Sequence, residues 1–513
     1  MVQRSARGSL ILLLGQVVST LVAAAGVMLV ARFLGSTSYG QVTIAMIPVS
    51  IATLFGNLGV TSALIKYIAQ YRAEKKTAEI MTLVRSGLLL NSAVGALLSL
   101  ITFLLAGPLA TRVFHQPELK MLIEIASATL LANSLVVTSR SIFVGFERME
   151  FYSLTVIIHS LLKSLLAPLL VLLGYGAVGA TMGNTAPVIL TGIIGLAIVV
   201  AAFLKDSTQG GGALGHVQAS KLLLSYGYPL FLSNLFTGGL SQFYNFLMAI
   251  YVEAYAIGNY QAAINFSVLI TFLTMPITTV LFPLFSKLDF RERSMLRLVF
   301  QNSVKYAALL IVPMTAALIV LSHPLVRIIY GNSYRLAPFF LRVYVINFLF
   351  VGLGNICVAN LLNGQGKTKV TFVMNLINLC IGLPLSLFLI PRWGVVGLLL
   401  TTIVAPKPGL VFGLWRIKKD FGFTINWTAS TKIYFSAGIA ALATYYALVF
   451  LDLGSWGDLL LGGAFFVVIY SLLVPLIGAL EKGDIQNLRS IMKALGPLAP
   501  LFNLFLALIE RLM

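Results

Sequence analysis

The chain has 513 residues, of which 59% are hydrophobic and only 10% charged. Soluble domains carry about 25% charged residues, so this composition leaves too little polar surface to cover a globule in water and excludes a soluble protein. The formal charge of +19 would point a soluble protein toward nucleic acid; in a membrane protein loop asymmetry produces the same excess, and nucleic acid is not expected as a partner.

A helix needs roughly 20 apolar residues to cross the hydrocarbon core. On that criterion the chain is an all-α integral membrane protein with fourteen predicted spans, near 8–31, 39–64, 83–106, 120–140, 153–173, 177–203, 223–250, 261–285, 303–322, 337–362, 370–390, 394–415, 432–451 and 457–480. Arg4 and Arg7 precede the first apolar run, which continues to Val30. That is too long for a signal h-region and right for a retained span. The tail, 481–513, ends in an amphipathic stretch with Leu501, Phe502, Phe505, Leu508 and Ile509, suited to lying on a membrane surface.

Basic residues test the count independently, because cytoplasmic loops collect Lys and Arg. With a cytoplasmic N-terminus and strict alternation, 26 of the 35 basic residues fall on inward segments. Every inward loop holds at least two, and a wrong span count would scramble the pattern. Both termini are therefore expected in the cytoplasm of a multi-pass plasma-membrane protein.

The loops are short and contain no Walker-type phosphate loop, so the chain has no room for a nucleotide-driven motor or an extramembrane catalytic surface. An enzyme is not expected, nor is a cofactor. Cys357 and Cys380 both lie in apolar runs without a ligand pattern, which argues against a disulfide or a metal site.

The chain repeats itself at an offset of about 218 residues. FLGSTSYGQVTIA (Phe33 to Ala45) falls on YVEAYAIGNYQAA (Tyr251 to Ala263), with Gly40 on Gly258; GAVGA (Gly176 to Ala180) falls on GVVGL (Gly394 to Leu398); GFERMEF (Gly145 to Phe151) falls near GQGKTKV (Gly364 to Val370). Spans 1–6 and 7–12 thus read as two copies of a six-helix unit with the same orientation, enclosing a cavity near the midplane. The expected organisation is an N-lobe (1–205), a cytoplasmic linker (206–221), a C-lobe (222–420), two accessory spans (421–480) and a cytoplasmic amphipathic tail (481–513).

ARFLGSTSYG, LGVTSALIKYIAQYR (Leu58 to Arg72), GFERMEFYSL (Gly145 to Leu154), SYGYPLFLSNLF (Ser225 to Phe236), TVLFPLFSKL (Thr279 to Leu288) and LLNGQGKTK (Leu361 to Lys369) resemble the polysaccharide-transporter branch of the multidrug/oligosaccharidyl-lipid/polysaccharide exporter superfamily. The resemblance covers residues 5–420, with weaker similarity beyond. It implies a two-lobed transporter with alternating access that flips polyprenyl-linked sugars to the outer leaflet. The partners it implies are lipid-linked oligosaccharide, membrane lipids and glycan polymerase or ligase machinery. Many members of the branch carry an acidic residue near Tyr244 or Asn245; this chain has none there, which leaves proton or sodium coupling open.

Carrying a phosphate-bearing head group across an apolar layer asks for cations in a hydrated cavity. Lys163 lies mid-way along the fifth span, with His159 one turn away on the same face. They form either a phosphate or proton site or a structural pair in the lobe core. Lys407 sits in APKPG (Ala405 to Gly409), which should interrupt the twelfth span, and either lines a binding site or anchors the helix. Arg32 closes the first span and is a further cationic candidate, at the cavity entrance. Arg140 and Lys66, near the inner surface, either help recruit an anionic head group or, the favoured reading, serve as ordinary positive-inside anchors. Gln16, Asn57, Asn234, Gln242 and Asn245 are polar residues on spans one, two and seven, suited to the cavity wall or to interhelical hydrogen bonds. Glu124 and Arg342 occupy equivalent positions in the repeat and form either a candidate outer gate or two unrelated charges near the outer boundary. The favoured function is a flippase for lipid-linked oligosaccharide. A lipid II-type precursor flippase, a cation-coupled multidrug exporter of the same fold and a non-transporting scaffold are the alternatives.

Overall fold

The computed structural model describes residues 2–56, 58–204, 215–289, 292–451 and 453–480, with isolated residues between 483 and 510. The amphipathic residues expected at 501, 502, 505, 508 and 509 lie outside the described residues, as do Asn57 and the side chain of Gln16.

Among the described residues all regular structure is helical. Helix α1 (Val2–Gly56) has 55 residues, about 80 Å of straight helix at 1.5 Å per residue, against a hydrocarbon core of about 30 Å. It bends at Gly35 (φ 73°, ψ 169°), a conformation open to glycine because it lacks Cβ, and so supplies two spans. The short helix α2 (Val60–Ala73) follows. Then come α3 (Thr77–Pro108), α4 (Leu119–Gly145), α5 (Met149–Leu170), α6 (Gly176–Val199) and α7 (His216–Tyr251). α8 (Ala254–Asn265) and α9 (Ser267–Lys287) together make the eighth span, and α10 (Arg293–Val320) the ninth. α11 (Ser322–Tyr330) is a short additional helix. α12 (Ala337–Leu349) and α13 (Asn355–Gly364) form one span, bent by 49° at a break between them. α14 (Thr368–Val404) turns back on itself at Gly394 and supplies the eleventh span and the start of the twelfth. α15 (Pro406–Phe421) completes the twelfth, and α16 (Trp427–Leu451) and α17 (Gly454–Leu476) are the last two. The total is about fourteen membrane-crossing segments.

Two helix breaks differ from what the spacing suggests, the first of them inside the span read as 39–64. The second span stops at Gly56, and α2 restarts after Gly59, which is left-handed (φ 78°). The APKPG interruption is milder than the proline pair suggests: Ala405 keeps right-handed helical angles (φ −57°, ψ −37°), so hydrogen bonding is interrupted there and direction is not.

The repeat is visible in the backbone. Gly176 (φ 52°, ψ −134°) and Gly394 (φ 55°, ψ −127°), which correspond in the two copies, hold the same turn with nearly the same angles. Both angles lie in the region that penalises a Cβ.

The chain divides into two compact units, Met1–Gly258 and Asn259–Met513. This division differs from the lobe boundary read off the repeat, because α7 packs against α1, α2 and α3. In the first unit α4 is central, lying against α1, α2, α3 and α6, and α5 lies against α1 and α6. One end of this unit is closed by an apolar core that includes Ala63, Leu64, Ile68, Leu83, Phe143 and Val199. Polar residues join the helices between: Asn91 donates to Thr138 at 2.8 Å and Ser99 to the Ser127 carbonyl at 2.9 Å. In a lipid surround such bonds satisfy groups that water cannot reach.

In the second unit α10 packs against α9, α12, α13 and α16. Its core includes Leu281, Phe285, Phe300, Leu361, Ile417 and Phe421. Leu281, Leu361 and Ile417 are the repeat counterparts of Ala63, Phe143 and Val199, so each unit has its own version of one core. Cys357 is buried there and Cys380 is exposed; both are free thiols.

Candidate functional site

Helix α5 is seated against α1 by a close crossing. A methyl group on Gly26 would lie 2.5 Å from the Ser164 Cα, and the Ser164 hydroxyl donates to the Val22 carbonyl at 2.7 Å. The next residue back is Lys163, partly buried near the middle of the span. Among the described residues it has no ion pair and no hydrogen bond.

Thr155, His159 and Lys163 are spaced by four and share one face of α5, about 6 Å apart along the axis. The Nδ1 of His159 is buried without a hydrogen-bond partner among the described residues. Arg140 of α4 joins this face. Its Nη2 donates to the Thr155 carbonyl at 3.1 Å and its Nε to the Thr155 hydroxyl at 3.3 Å, and its guanidinium sits 5.9 Å from the Tyr152 ring. Arg140 and Lys163 both act electrostatically on His159. The result is a stripe of three basic side chains from near one end of α5 to its middle. Among the described residues no carboxylate pairs with any of them.

Such a stripe is costly in lipid: one lysine at bilayer depth costs about 2.5–3.5 kcal/mol even on a lenient insertion scale. Lys163 and His159 were legible from sequence because they interrupt an apolar run. Arg140, expected as an anchor or as a recruiting cation near the inner surface, lies at the start of this stripe. The signal that could have identified it is its spacing from Tyr152 and Thr155 across the α4–α5 turn.

Lys407, in the second unit, is also partly buried. Its ammonium lies 3.4 Å from the centroid of the Phe350 ring, a cation–π contact. It lines two cavities, one apolar and one containing Thr274, Thr278, Asn347 and Asn355.

The other expected residues are scattered. Arg32 is exposed on α1, three residues before the Gly35 bend. On α7, Asn234 is exposed, and Asn245 donates to Gln242 at 3.4 Å. Glu124 faces Lys120 one turn back on its own helix at 3.8 Å, and the Arg342 Nε donates to the Ser322 hydroxyl at 2.7 Å. Both members of the expected gate thus have local partners. Lys66 sits over the Tyr226 ring at 4.1 Å and beside Tyr67 at 4.9 Å. Among the described residues no group of three His, Cys, Asp or Glu side chains is placed to hold a metal ion.

Comparison with known proteins supplies the family. The chain matches the family described as polysaccharide biosynthesis protein over residues 5–289 and the family described as lipid II flippase MurJ over residues 212–464. No curated protein matches it significantly. Among solved structures it is similar to the lipid II flippase MurJ in an inward closed conformation, with 17% identity, 91% of this chain and 98% of that chain covered and a TM-score of 0.72. It is also similar to an inward-facing multidrug resistance MATE family transporter of the MOP superfamily, with 18% identity, coverage of 78% and 95%, and a TM-score of 0.60. A MOP superfamily transporter from Pyrococcus furiosus, reported with reversed polarity of its binding pocket, follows at 18% identity, coverage of 82% and 96%, and a TM-score of 0.52. At these identities the structures establish the fold alone. The first family match spans more than half of the sequence, and with that fold the chain belongs to the polysaccharide biosynthesis protein family, multi-span membrane transporters of the multidrug/oligosaccharidyl-lipid/polysaccharide exporter superfamily rather than enzymes.

Proposed function

We propose that this protein translocates polyprenyl-phosphate- or pyrophosphate-linked oligosaccharide or repeat units from the inner to the outer leaflet by alternating access, for cell-surface polysaccharide or glycan synthesis. Both termini are cytoplasmic in this reading, as the distribution of basic residues favours. The observation that carries it is the unpaired stripe of Arg140, His159 and Lys163.

No covalent bond changes in such a reaction. The barrier is the transfer of a phosphate and its sugars through a layer about 30 Å thick. Fixed cations along a span replace part of the lost hydration, and charge-assisted hydrogen bonds to phosphate are about twice as strong as neutral ones. With the 4–5 turn on the cytoplasmic side, Arg140 meets the phosphate first and Lys163 holds it at mid-depth. His159, with one ring nitrogen free, presents a proton-dependent donor between them. Glycan polymerase or ligase machinery is the expected recipient of the product.

The test is flipping in proteoliposomes of a fluorescent polyprenyl-diphosphate-linked oligosaccharide, scored by access of an external sugar-modifying reagent. Wild type flips and Lys163→Ala flips at least about tenfold more slowly, a loss of roughly 1.4 kcal/mol at the barrier. Absence of flipping with several head groups, together with efflux of a cationic dye, would overturn the reading. A second reading, translocation of a lipid II-type precursor, is favoured by the MurJ family match over residues 212–464. Competition between the two lipids in the same vesicles separates them.

A further inference from the structure

The ninth span runs into a short helix whose exposed face is basic. α10 has 28 residues, about 42 Å at 1.5 Å per residue, which matches a bilayer of about 40–45 Å with its headgroups included. α11 starts two residues later, at Ser322, and so begins at headgroup level; it buries Ser322, Pro324, Val326 and Tyr330. His323 and Arg327, four apart, share its exposed face. Gly331 then turns the chain with a positive φ of 76°, and Arg335 follows, so that all three basic side chains line one cavity of about 300 Å³ together with Asn332 and Tyr334. The turn beneath them is fixed. Tyr330 and Tyr334 are buried with ring centroids 5.1 Å apart, and Asn265 donates to the Tyr330 hydroxyl at 3.3 Å. The Asn259 side-chain oxygen accepts from the Leu336 and Ala337 amides at 3.0 and 3.1 Å. No carboxylate lines the cavity, and among the described residues the side chains of His323, Arg327 and Arg335 have no ion pair and no hydrogen bond.

In the orientation proposed above, the ninth span ends on the outer face, where Lys and Arg are scarce. Two arginines that line one cavity without a carboxylate are stabilised by an anion between them. Guanidinium forks match phosphate oxygens in bidentate pairs, and a histidine, an amide and a phenol complete the donor set. The volume stands at the lower limit of ligand pockets, about 300–1,000 Å³, which suits a phosphate headgroup and excludes an oligosaccharide. Leu336 and Phe339, 38% and 49% exposed, flank Arg335 and Pro338 and set apolar surface beside the cations. We propose that this pocket binds a phosphate group at the outer surface of the membrane; the apolar rim favours the headgroup of a resident anionic phospholipid as its source. The bound phosphate ties the exposed face of α11 to the segment that leads into α12, and so joins the outer ends of the ninth and tenth spans. Only the side of the membrane rests on the translocation reading; the pocket does not.

The experiment uses the full-length protein in phosphatidylcholine nanodiscs doped with phosphatidylglycerol that carries a diazirine on its headgroup, with labelled peptides mapped by mass spectrometry. Labelling is expected within residues 323–338. It should fall about tenfold, the equivalent of roughly 1.4 kcal/mol, in the double variant Arg327→Gln with Arg335→Gln. Both side chains are exposed, so the thermal unfolding temperature in pure phosphatidylcholine should not change, which checks that the variant is folded. Excess soluble glycerol 3-phosphate separates the two sources: labelling that survives it assigns the pocket to the lipid, and labelling that it abolishes assigns the pocket to a free phosphate. Equal labelling by a headgroup-diazirine glycolipid without phosphate, labelling unchanged in the double variant, or none in this segment would overturn the proposal. Flipping by the wild type is measured in parallel. Flipping without labelling of this segment removes the pocket alone, whereas labelling without flipping removes the translocation reading and leaves the pocket.

Discussion

Lys163 in the first unit and Lys407 in the second are both basic residues near the middle of a span, but they meet different neighbours. Lys163 ends a stripe of basic side chains whose first member, Arg140, holds the Thr155 carbonyl and hydroxyl. Lys407 stands alone against an aromatic ring at the edge of an apolar groove. The repeat makes the contrast informative, because the counterparts of Lys163 and Lys407 in the other copy are Ile381 and Ile189, and those of Arg140 and His159 are Val358 and Ile377. The duplicated unit kept its cores and turns in both halves, whereas the charges occur once each. Scaffold and charge were therefore set independently in the two copies.

The harshest way to break this contrast is Lys163→Glu, which puts a carboxylate where the anion is expected. Flipping should fall to background, at least about a hundredfold or roughly 2.7 kcal/mol, in the proteoliposome assay. The double change Lys163→Ile with Ile381→Lys moves the cation to the equivalent place in the other half. It should not restore flipping, since no histidine or arginine occupies the corresponding positions around 381; recovery would mean that only the number of charges matters. Lys407→Ala should slow flipping by a smaller factor, about three- to tenfold, because the basic stripe on α5 is left intact.

Asp484→Asn separates stability from transport. Asp484 accepts from Lys305 at 2.6 Å and from the Tyr306 hydroxyl at 2.9 Å, and all but a tenth of its side chain is buried. Breaking one partner of a buried pair costs about 3–5 kcal/mol, read as a lower thermal unfolding temperature with flipping per folded molecule unchanged. The smallest effect is expected at Glu74, an exposed carboxylate held below its usual range by its hydrogen bond to Lys76 and a second to Gln70. A lowered value stabilises above the unfolded pKa and is lost as pH falls through the folded one, but solvent screening leaves little to lose. Glu74→Gln should leave the acid side of a thermal-stability profile unchanged.

Span number, basic loops and the repeat offset were legible because each depends on composition or spacing alone. Helix α11 was not, since its nine residues fall between the ninth and tenth predicted spans and are too few to register as a crossing segment. Lys163 and His159 stood out as polar residues in an apolar run. Arg140 did not, because an arginine near a cytoplasmic turn already has an explanation, and only the fold shows its guanidinium reaching past the turn to Thr155. The groove beside Lys407 was equally hidden: in a chain this apolar, Val404, Val411 and Phe412 look the same whether they face lipid, a neighbour or an open slot. Glu124 and Arg342 stood out because they match in the repeat; what spacing did not show is that Lys120 and Ser322 engage them locally.

One contact between helices has almost no side chains in it. A methyl on Gly40 would lie 1.8 Å from the Ala254 carbonyl oxygen, and a methyl on Gly258 would lie 1.8 Å from the Ser36 carbonyl oxygen. Ser36 and Ala254 are themselves counterparts in the repeat, so the two halves of this contact mirror each other. At such range each glycine Cα–H points at a carbonyl, a weak bond of ~0.5–1 kcal/mol. Helices normally lock by setting ridges of side chains into grooves, and this pair has no ridge at the point of touch. It behaves as a bearing: the two backbones can swivel on one another without first being lifted apart, and any larger residue at either glycine would act as grit.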